Sequence, residues 1–340
     1  MIKEAIETVV NGRSLTFEDA AAVMEEIMIG EATPAQFAAF ITALRIKGET
    51  VDEIAGLASV MQAKATPVRA TTAVVDNCGT GGDGFCSFNI STTAAFIVAS
   101  TGLKVAKHGN RAMSSQCGSA DVLEALGVKI DLGAEAVAQC LEKAGIGFMF
   151  APSFHPAMKY AAAPRREIGI RTVFNILGPL TNPAQARFQV IGVPSKELGE
   201  KIAYVLHRLG TEHSLVVHGI DGMDEISISC KSLVWDVNHH RVSPPYEIFP
   251  EDLGFMKASL TQIQGGTARQ NARILRGILN GEVGARRNIV IMNAAAALVA
   301  GNQASDLKEG VCIAEKMLDS GQALAKLDEL IKLSQSLNKE

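Results

Sequence analysis

Residues 76–84, DNCGTGGDG, with 88–100, FNISTTAAFIVAS, and 104–121, KVAKHGNRAMSSQCGSAD, decide how this chain is read. Thr71 to Val75 ahead of them is a short β-branched, apolar run of the kind a buried strand requires. The loop from Gly79 to Gly84 holds four glycines in six residues. Without Cβ atoms in the way, its backbone N–H groups can turn inward onto an anion. Asn89 and Ser91 open the following helix, where unpaired N–H groups and the helix dipole favour a phosphate. Lys107, His108, Asn110 and Arg111 lie on a second loop after the next strand. Strand, glycine loop, buried helix, strand and polar loop together point to a polyphosphate ligand.

Two familiar loops are excluded. Gly79, Gly81 and Gly84 match G-x-G-x-x-G, but a dinucleotide fold wants an acidic residue about 20 positions on. Lys107 and His108 stand at the end of the second strand instead. No Gly-Lys-Ser/Thr ends the glycine run, which rules out a P-loop. A purely structural glycine turn would leave the polar cluster of the second loop without a reason.

Working outward, residues 1–66 read as four short helices. Thr16, Thr33 and Thr50 are their N-caps, and Thr33–Gln36 and Thr50–Glu53 have the form of capping boxes. Phe37, Phe40, Ile41 and Leu44, then Ile54, Leu57 and Met61, recur at helical spacing. Short helices bury little alone, so these faces must pack on the rest of the chain or on another chain. From Thr71 helices alternate with apolar runs at 147–151, 188–193 and 214–218, which argues for a largely parallel α/β sheet. Ile226–Ser229, Leu233–Val237 and Tyr246–Phe249 suggest antiparallel additions, with Pro244-Pro245 interrupting them. From Thr267 the chain reads as helical. Ile289 to Ala300, broken by Asn293, is too short to span a bilayer and reads as a buried helix.

The chain has 340 residues, 47% of them apolar, and a formal net charge of −4. That length can bury two cores. The acidic balance supplies no global attraction to nucleic acid or anionic lipid, and neither is expected as a partner. The six cysteines show no C-x-x-C and no zinc-finger spacing, so free thiols in a reducing cytoplasm are expected. The N-terminal MIKEAIETVVNG is charged and amphipathic, unlike a secretory signal. Asp224 and Glu225, adjacent in HGIDGMDE, are either a solvated acidic turn or a pair of cation ligands; beside phosphate motifs the second reading is preferred.

GTGGDG, NIST, KHGNR, GSADVLEALG, RREIGIRTVFNILGPLTNP and DGMDE occur in this order. Together they resemble the anthranilate phosphoribosyltransferases over about residues 79–225. The resemblance implies a small, mainly helical domain (1–66 with a return segment near 164–177) and a larger α/β domain (71–340) of the nucleoside phosphorylase/phosphoribosyltransferase type. It implies transfer of phosphoribose from phosphoribosyl pyrophosphate to the amine of anthranilate, with two Mg²⁺ per subunit. Donor contacts implied by the match are Gly79, Gly82, Asp83, Ser87, Asn89, Ile90, Ser91, Thr92 and Lys107. The loop His108, Gly109, Asn110, Arg111, Ala112, Met113, Ser114 and Ser115 would close over the donor, with Ser119 near the pyrophosphate. Arg165, Asn110 and Gly79 would hold anthranilate, with His108, His155 and Pro179 lining the approach. Ser91, Asp224 and Glu225 would hold the metal. No side chain is assigned as acid or base. The family also implies a homodimer joined through the helical domains, placed here in residues 1–66.

Two departures stand out. Gln116-Cys117 replaces the lysine and serine of the usual SSKSGSAD, and Ala163-Pro164 replaces the usual Pro-Val before Arg165. A pyrimidine nucleoside phosphorylase shares the broad architecture but lacks the NIST, KHGNR and DE combination. A non-catalytic relative should have eroded Asp224-Glu225 or an enlarged basic surface, and this chain has neither.

Overall fold

A computed structural model describes residues 1–112 and 116–337. The chain opens with α1 (Ile2–Val10), α2 (Phe17–Met28), α3 (Pro34–Lys47) and α4 (Val51–Ala63). Thr16, Thr33 and Thr50 cap the last three of these, and the boxes Thr33–Gln36 and Thr50–Glu53 are closed in both directions. There follow β1 (Val74–Gly79), α5 (Ile90–Ser100), β2 (Lys104–Gly109), α6 (Ser119–Ala125), α7 (Ala134–Ala144) and β3 (Ile146–Phe150). The middle of the chain holds α8 (Ala151–Phe154), α9 (Lys159–Ile168), β4 (Phe188–Gly192), α10 (Lys196–Leu209) and β5 (His213–Gly219). It ends with β6 (Ser232–Asn238), β7 (Tyr246–Ile248), α11 (Ala268–Leu279), α12 (Ala285–Ala300), α13 (Leu307–Asp319) and α14 (Gln322–Ser336).

The strands form one sheet in the order β3-β2-β1-β4-β5-β6-β7. Strands β3, β2, β1, β4 and β5 are parallel, while β6 and β7 run antiparallel. The chain builds outward from β1 to β2 and β3, then returns to the other side of β1 with β4. The β1/β4 junction is therefore the switch point, and the crevice beyond its strand ends is the usual place for a ligand.

Side chains alternate across the sheet, as pleating requires. Val190, Leu215, Val217 and Val234 join one core with α5 and α12. Ile191, Val216, Leu233 and Trp235 join the other, which also contains the apolar faces of α1–α4. Helix α10 mediates this second contact: it packs on α4 and on β5 and β6. A Cβ at Gly199 would lie 2.5 Å from the Trp235 ring, so the helix reaches the strand only because that residue is glycine. Helix α9 packs on α2 and α3, and Phe174 meets Phe37 edge-on at 5.1 Å.

Three expectations need correction. The first strand runs from Val74 to Gly79, not from Thr71 to Val75. It carries buried Asp76 and Asn77, polar residues made tolerable by hydrogen bonds from Asn182 and to Ser91. Ile226–Ser229 is no strand. Its N–H groups go instead to side chains: Ile226 to Asn293, Ser227 to Ser232 and Ser229 to Ser227. Third, the apolar positions that suggested an interface, Phe37, Phe40, Ile41, Leu44, Ile54 and Leu57, are all buried within the single chain. The sheet's second face and the 173–177 crossing give them the cover that four short helices could not.

Among the described residues no helix is long and apolar enough to cross a membrane. Because Phe40 has no exposed surface, Phe40→Ala should cost ~3–5 kcal/mol, typical of a large cavity in a packed core. Thermal unfolding followed by circular dichroism checks it; an unchanged melting temperature would show that the second core is not cooperative with the fold.

Candidate active site

The ends of β1 and β4 carry paired glycines, Gly79 and Gly192. Both make room for the same visitor. A Cβ on Gly79 would stand 2.0 Å from Asp224 Oδ2, and one on Gly192 would stand 1.6 Å from the Asp224 carbonyl oxygen. The loop 219–226 is thereby laid across the switch point. It is held from behind by Asn293 of α12, which accepts from the Ile226 N–H at 2.8 Å and donates to the Ile226 carbonyl at 3.0 Å. Asp221 ties its base, accepting from Met223 N–H, Ser227 Oγ and Ser229 Oγ.

So positioned, the two acids meet the two anion-binding motifs. Asp224 Oδ2 accepts from the Gly81 N–H at 2.7 Å. Glu225 Oε1 accepts from the Ser91 N–H at 3.1 Å, in the first turn of α5. Burial pushes Glu225 up to about 8, with the neighbouring Asp224 charge adding to it. Burial likewise raises Asp224, with Asp83 opposing its charge, and raises Asp83 itself. These are carboxylates crowded together out of water, the condition a cation relieves. The donor set is all oxygen and suits a hard ion such as Mg²⁺. Among the described residues no cluster of three or more acid, His or Cys ligands forms a complete cage. The pair thus suits a cation whose remaining ligands come from a bound polyphosphate and water.

Lys107, only 2% exposed, donates to the Asn77 carbonyl at 2.6 Å, and Asn77 Nδ2 donates to the Ser91 carbonyl. Gly79, Gly81, Lys107, Ser91, Asp224 and Glu225 are therefore one connected group, with Asp83 beside Asp224. Gly82 and Gly84 adopt positive φ, 83° and 75°, within the glycine loop. Ile90 and Thr92 are buried in α5 beside Ser91. Ser87 bridges to Gln264.

The second loop is held differently. Asn89 makes no cap bond to its helix; it donates to the Cys117 carbonyl and accepts from Asn271 of α11. Cys117 Sγ lies 3.4 Å from Asn89 Oδ1, and burial pushes this thiol up to about 11, which removes it as a nucleophile. Gly109 lies against Ser119, whose Oγ donates to the Asn110 carbonyl at 3.4 Å. Asn110 Oδ1 accepts from the Arg111 N–H, and Ala112 donates to Asp121. The Arg111 guanidinium is engaged by Asp121 and, through both Nη atoms, by Glu124. Its charge is directed at α6 and not at the glycine loop. Met113, Ser114 and Ser115 lie outside the described residues.

Arg165 is the opposite case. It sits on α9, mostly shielded, with a 3.4 Å hydrogen bond to the Phe174 carbonyl and the Phe174 ring 5.4 Å from its guanidinium carbon. Burial lowers its pKa, and among the described residues no carboxylate pairs with it. A shielded guanidinium without an acid is a receptor for one. Pro164, buried inside α9, removes a backbone donor one residue earlier. Gly178, on the same crossing, accepts from His108 Nδ1 at 3.2 Å, and the Pro179 carbonyl accepts from Gln189. The His108 and His155 rings meet at a tilt of 48° with centroids 5.0 Å apart, and each Nε2 is buried without a partner.

Sequence reasoning missed Arg171, Asn293, Asn77 and Asn182. Each acts over a long sequence separation, and an isolated Asn or Arg carries no periodic signal. The asparagine in an otherwise apolar run at 289–300 was the available clue for one of them.

Residues 71–324 match the glycosyl transferase family a/b domain, and residues 3–65 its helical bundle domain. An anthranilate phosphoribosyltransferase of Dehalococcoides mccartyi is 58% identical over 338 residues, 99% of each chain. The crystal structure of the Thermus thermophilus enzyme of that name superposes with a TM-score of 0.92 at 42% identity, over 97% of this chain and 99% of that one. The Saccharomyces cerevisiae enzyme, solved in complex with PRPP and Mg, gives 0.89 at 27% identity over 99% of this chain and 98% of that one. It has also been solved with 4-fluoroanthranilate.

The histidine pair makes a pH prediction. Burial lowers His108 to about 3 and His155 to about 4, below the unfolded value of about 6.5. The unfolded chain takes up these protons first, so the stability tied to neutral histidines is present above about pH 6.5 and lost as pH falls towards 4. His155→Gln removes one such site. Its melting temperature relative to wild type should therefore improve between about pH 7.5 and pH 5; parallel curves in scanning calorimetry would refute the assignment.

Proposed function

The chain belongs to the anthranilate phosphoribosyltransferase family, as a glycosyltransferase of tryptophan biosynthesis, and on that premise we propose that it moves the phosphoribosyl group of 5-phospho-α-D-ribose 1-diphosphate to the amine of anthranilate, releasing pyrophosphate. The observation that carries this reading is the docking of Asp224 and Glu225 onto the N–H groups of Gly81 and Ser91. It joins two acids to two anion-binding backbones at the switch point of the sheet.

In this reading the glycine loop 79–84, Asn89, Ser91, Thr92 and Lys107 receive the donor. Backbone N–H groups and the buried ammonium of Lys107 stabilise the negative charge that grows on the pyrophosphate as the C1–O bond breaks. Asp224, Glu225 and Ser91 would hold Mg²⁺, two ions per subunit shared with the donor's phosphate oxygens. Bound there, Mg²⁺ supplies further charge stabilisation to the leaving group. Arg165 takes the carboxylate of anthranilate as a bidentate partner, and Asn110 and Gly79 orient the amine. Neutral His108 and His155 add no competing charge to this approach. A neutral aromatic amine needs no base to attack, so positioning and leaving-group stabilisation account for the rate. The helical unit of residues 1–66 together with the return near 164–177, set against residues 71–340, is the division into domains this reading adopts, with the enzyme acting in the cytoplasm.

We further propose a homodimer, through surfaces of the helical unit other than its buried faces. Met1, Val10, Ile29 and Ile46 are exposed apolar side chains there, Ile46 the most so at 82%. Light scattering at micromolar concentration should give twice the chain mass, reverting to one mass on Ile46→Asp; a monomer throughout refutes it.

The activity is tested by loss of anthranilate fluorescence on mixing with the donor and Mg²⁺. Wild type should turn over; absence of any Mg²⁺-dependent signal would overturn the reading. Asp224→Asn combined with Glu225→Gln should nearly abolish turnover with the fold intact. Arg165→Ala should weaken anthranilate by ~1.5–3 kcal/mol, the worth of a charged hydrogen bond, and the donor far less. Equal effects on both Michaelis constants would show that Arg165 does not separate the sites.

A further inference from the structure

We propose that Arg171 is a positioning residue that shapes the glycine loop into an anion site. The inference rests on the donor-binding reading above. A loop can present its N–H groups inward only if its carbonyls turn outward, and outward carbonyls need a partner. Arg171 is that partner: its Nη2 lies 2.9 Å from the Gly81 carbonyl oxygen and 3.3 Å from that of Thr80. Its Nη1 occupies the space beside Gly82, 1.9 Å from where a Cβ would stand. Gly82 is glycine for its φ of 83°, and with no side chain it leaves the guanidinium room to pack against it.

The residue between them is gripped from both sides. The Gly81 N–H donates to Asp224 and the Gly81 carbonyl accepts from Arg171. Among the described residues no carboxylate forms an ion pair with Arg171, and its hydrogen bonds go to the two carbonyls. It reaches the loop from the crossing segment that also carries Arg165, six residues earlier. The donor loop is thus oriented by the same stretch of chain that receives the acceptor's carboxylate. One nitrogen, Nη2, serves both carbonyls while Nη1 lies beside Gly82. The single ammonium of lysine can reach the carbonyls or fill that space, but not both with the reach and planarity of the guanidinium.

The test is calorimetric titration of the full chain with inorganic pyrophosphate in excess Mg²⁺ and no acceptor, alongside steady-state kinetics. Arg171→Met should weaken pyrophosphate and raise the donor Michaelis constant at least ~10-fold, with the anthranilate constant changed less than ~3-fold. Because Arg171 is exposed, melting should move by no more than about 2 °C. Arg171→Lys should recover only part of the loss. Pyrophosphate affinity within about twofold of wild type in Arg171→Met would overturn the inference. Full recovery in Arg171→Lys would also overturn it, by showing that charge alone and not the planar guanidinium is at work. Failure of the wild type itself to bind pyrophosphate would take down the donor-binding reading and this inference with it. That result is distinct from a wild type that binds and an Arg171→Met that binds equally.

Discussion

Keeping two adjacent carboxylates out of water is costly unless every oxygen finds a donor or a cation. At the end of this sheet the cost sets the local architecture. Gly79 and Gly192 lack side chains so that the acidic loop can lie on the strand ends. The N–H groups of Gly81 and Ser91, which would otherwise face an empty crevice, take one oxygen from each acid. Asn293 holds the following peptide from within a helix that is otherwise apolar. The ionised pair is disfavoured as the chain stands, and the arrangement is complete only with positive charge added. A ligand that brings its own cations meets this demand better than a bare anion, which would compete with the carboxylates for the same N–H groups.

The same economy of partners separates the arginines. Arg111 is committed to Glu124 and Asp121, Arg171 to two carbonyls, and Arg165 to one long contact with a carbonyl. Arg165 is the shielded one of the three, Arg111 and Arg171 being exposed, and their partners separate them further. The guanidinium with least to hold is the one placed to receive a carboxylate from outside.

What could be read from sequence followed the range of the interactions. Capping boxes at Thr33 and Thr50 involve residues three apart and were plain. Helix α10 and the parallel alternation were plain for the same reason, since their periodicity is local. The errors came where distant partners override local character. Asp76 and Asn77 look like loop residues and lie in a strand, where Asn182 bonds one Asp76 oxygen and the Ser91 carbonyl takes the Asn77 amide, the other oxygen of each staying buried without a partner. Ile226–Ser229 looks like a strand and is a loop because Asn293 and neighbouring serines take its backbone. The site was legible through its glycines and acids as motifs, and through family resemblance. The roles of the devices that hold it, Arg171 and Asn293, were not legible because each makes its contact about seventy residues or more away, Asn293 showing only as a break in an apolar run.

The sharing of one sheet between two cores has a consequence for dissection of the molecule. Trp235 and Val216 belong to the same apolar cluster as Phe40 and Leu44. A fragment beginning near Thr71 would keep every strand and every phosphate motif, yet leave α10 bare where α4 now covers it. Such a fragment would be an open sandwich with one oily side, suited to sticking to its own copies more than to standing alone. The boundary seen in the chain's helices and strands is therefore not a line along which the protein can be cut.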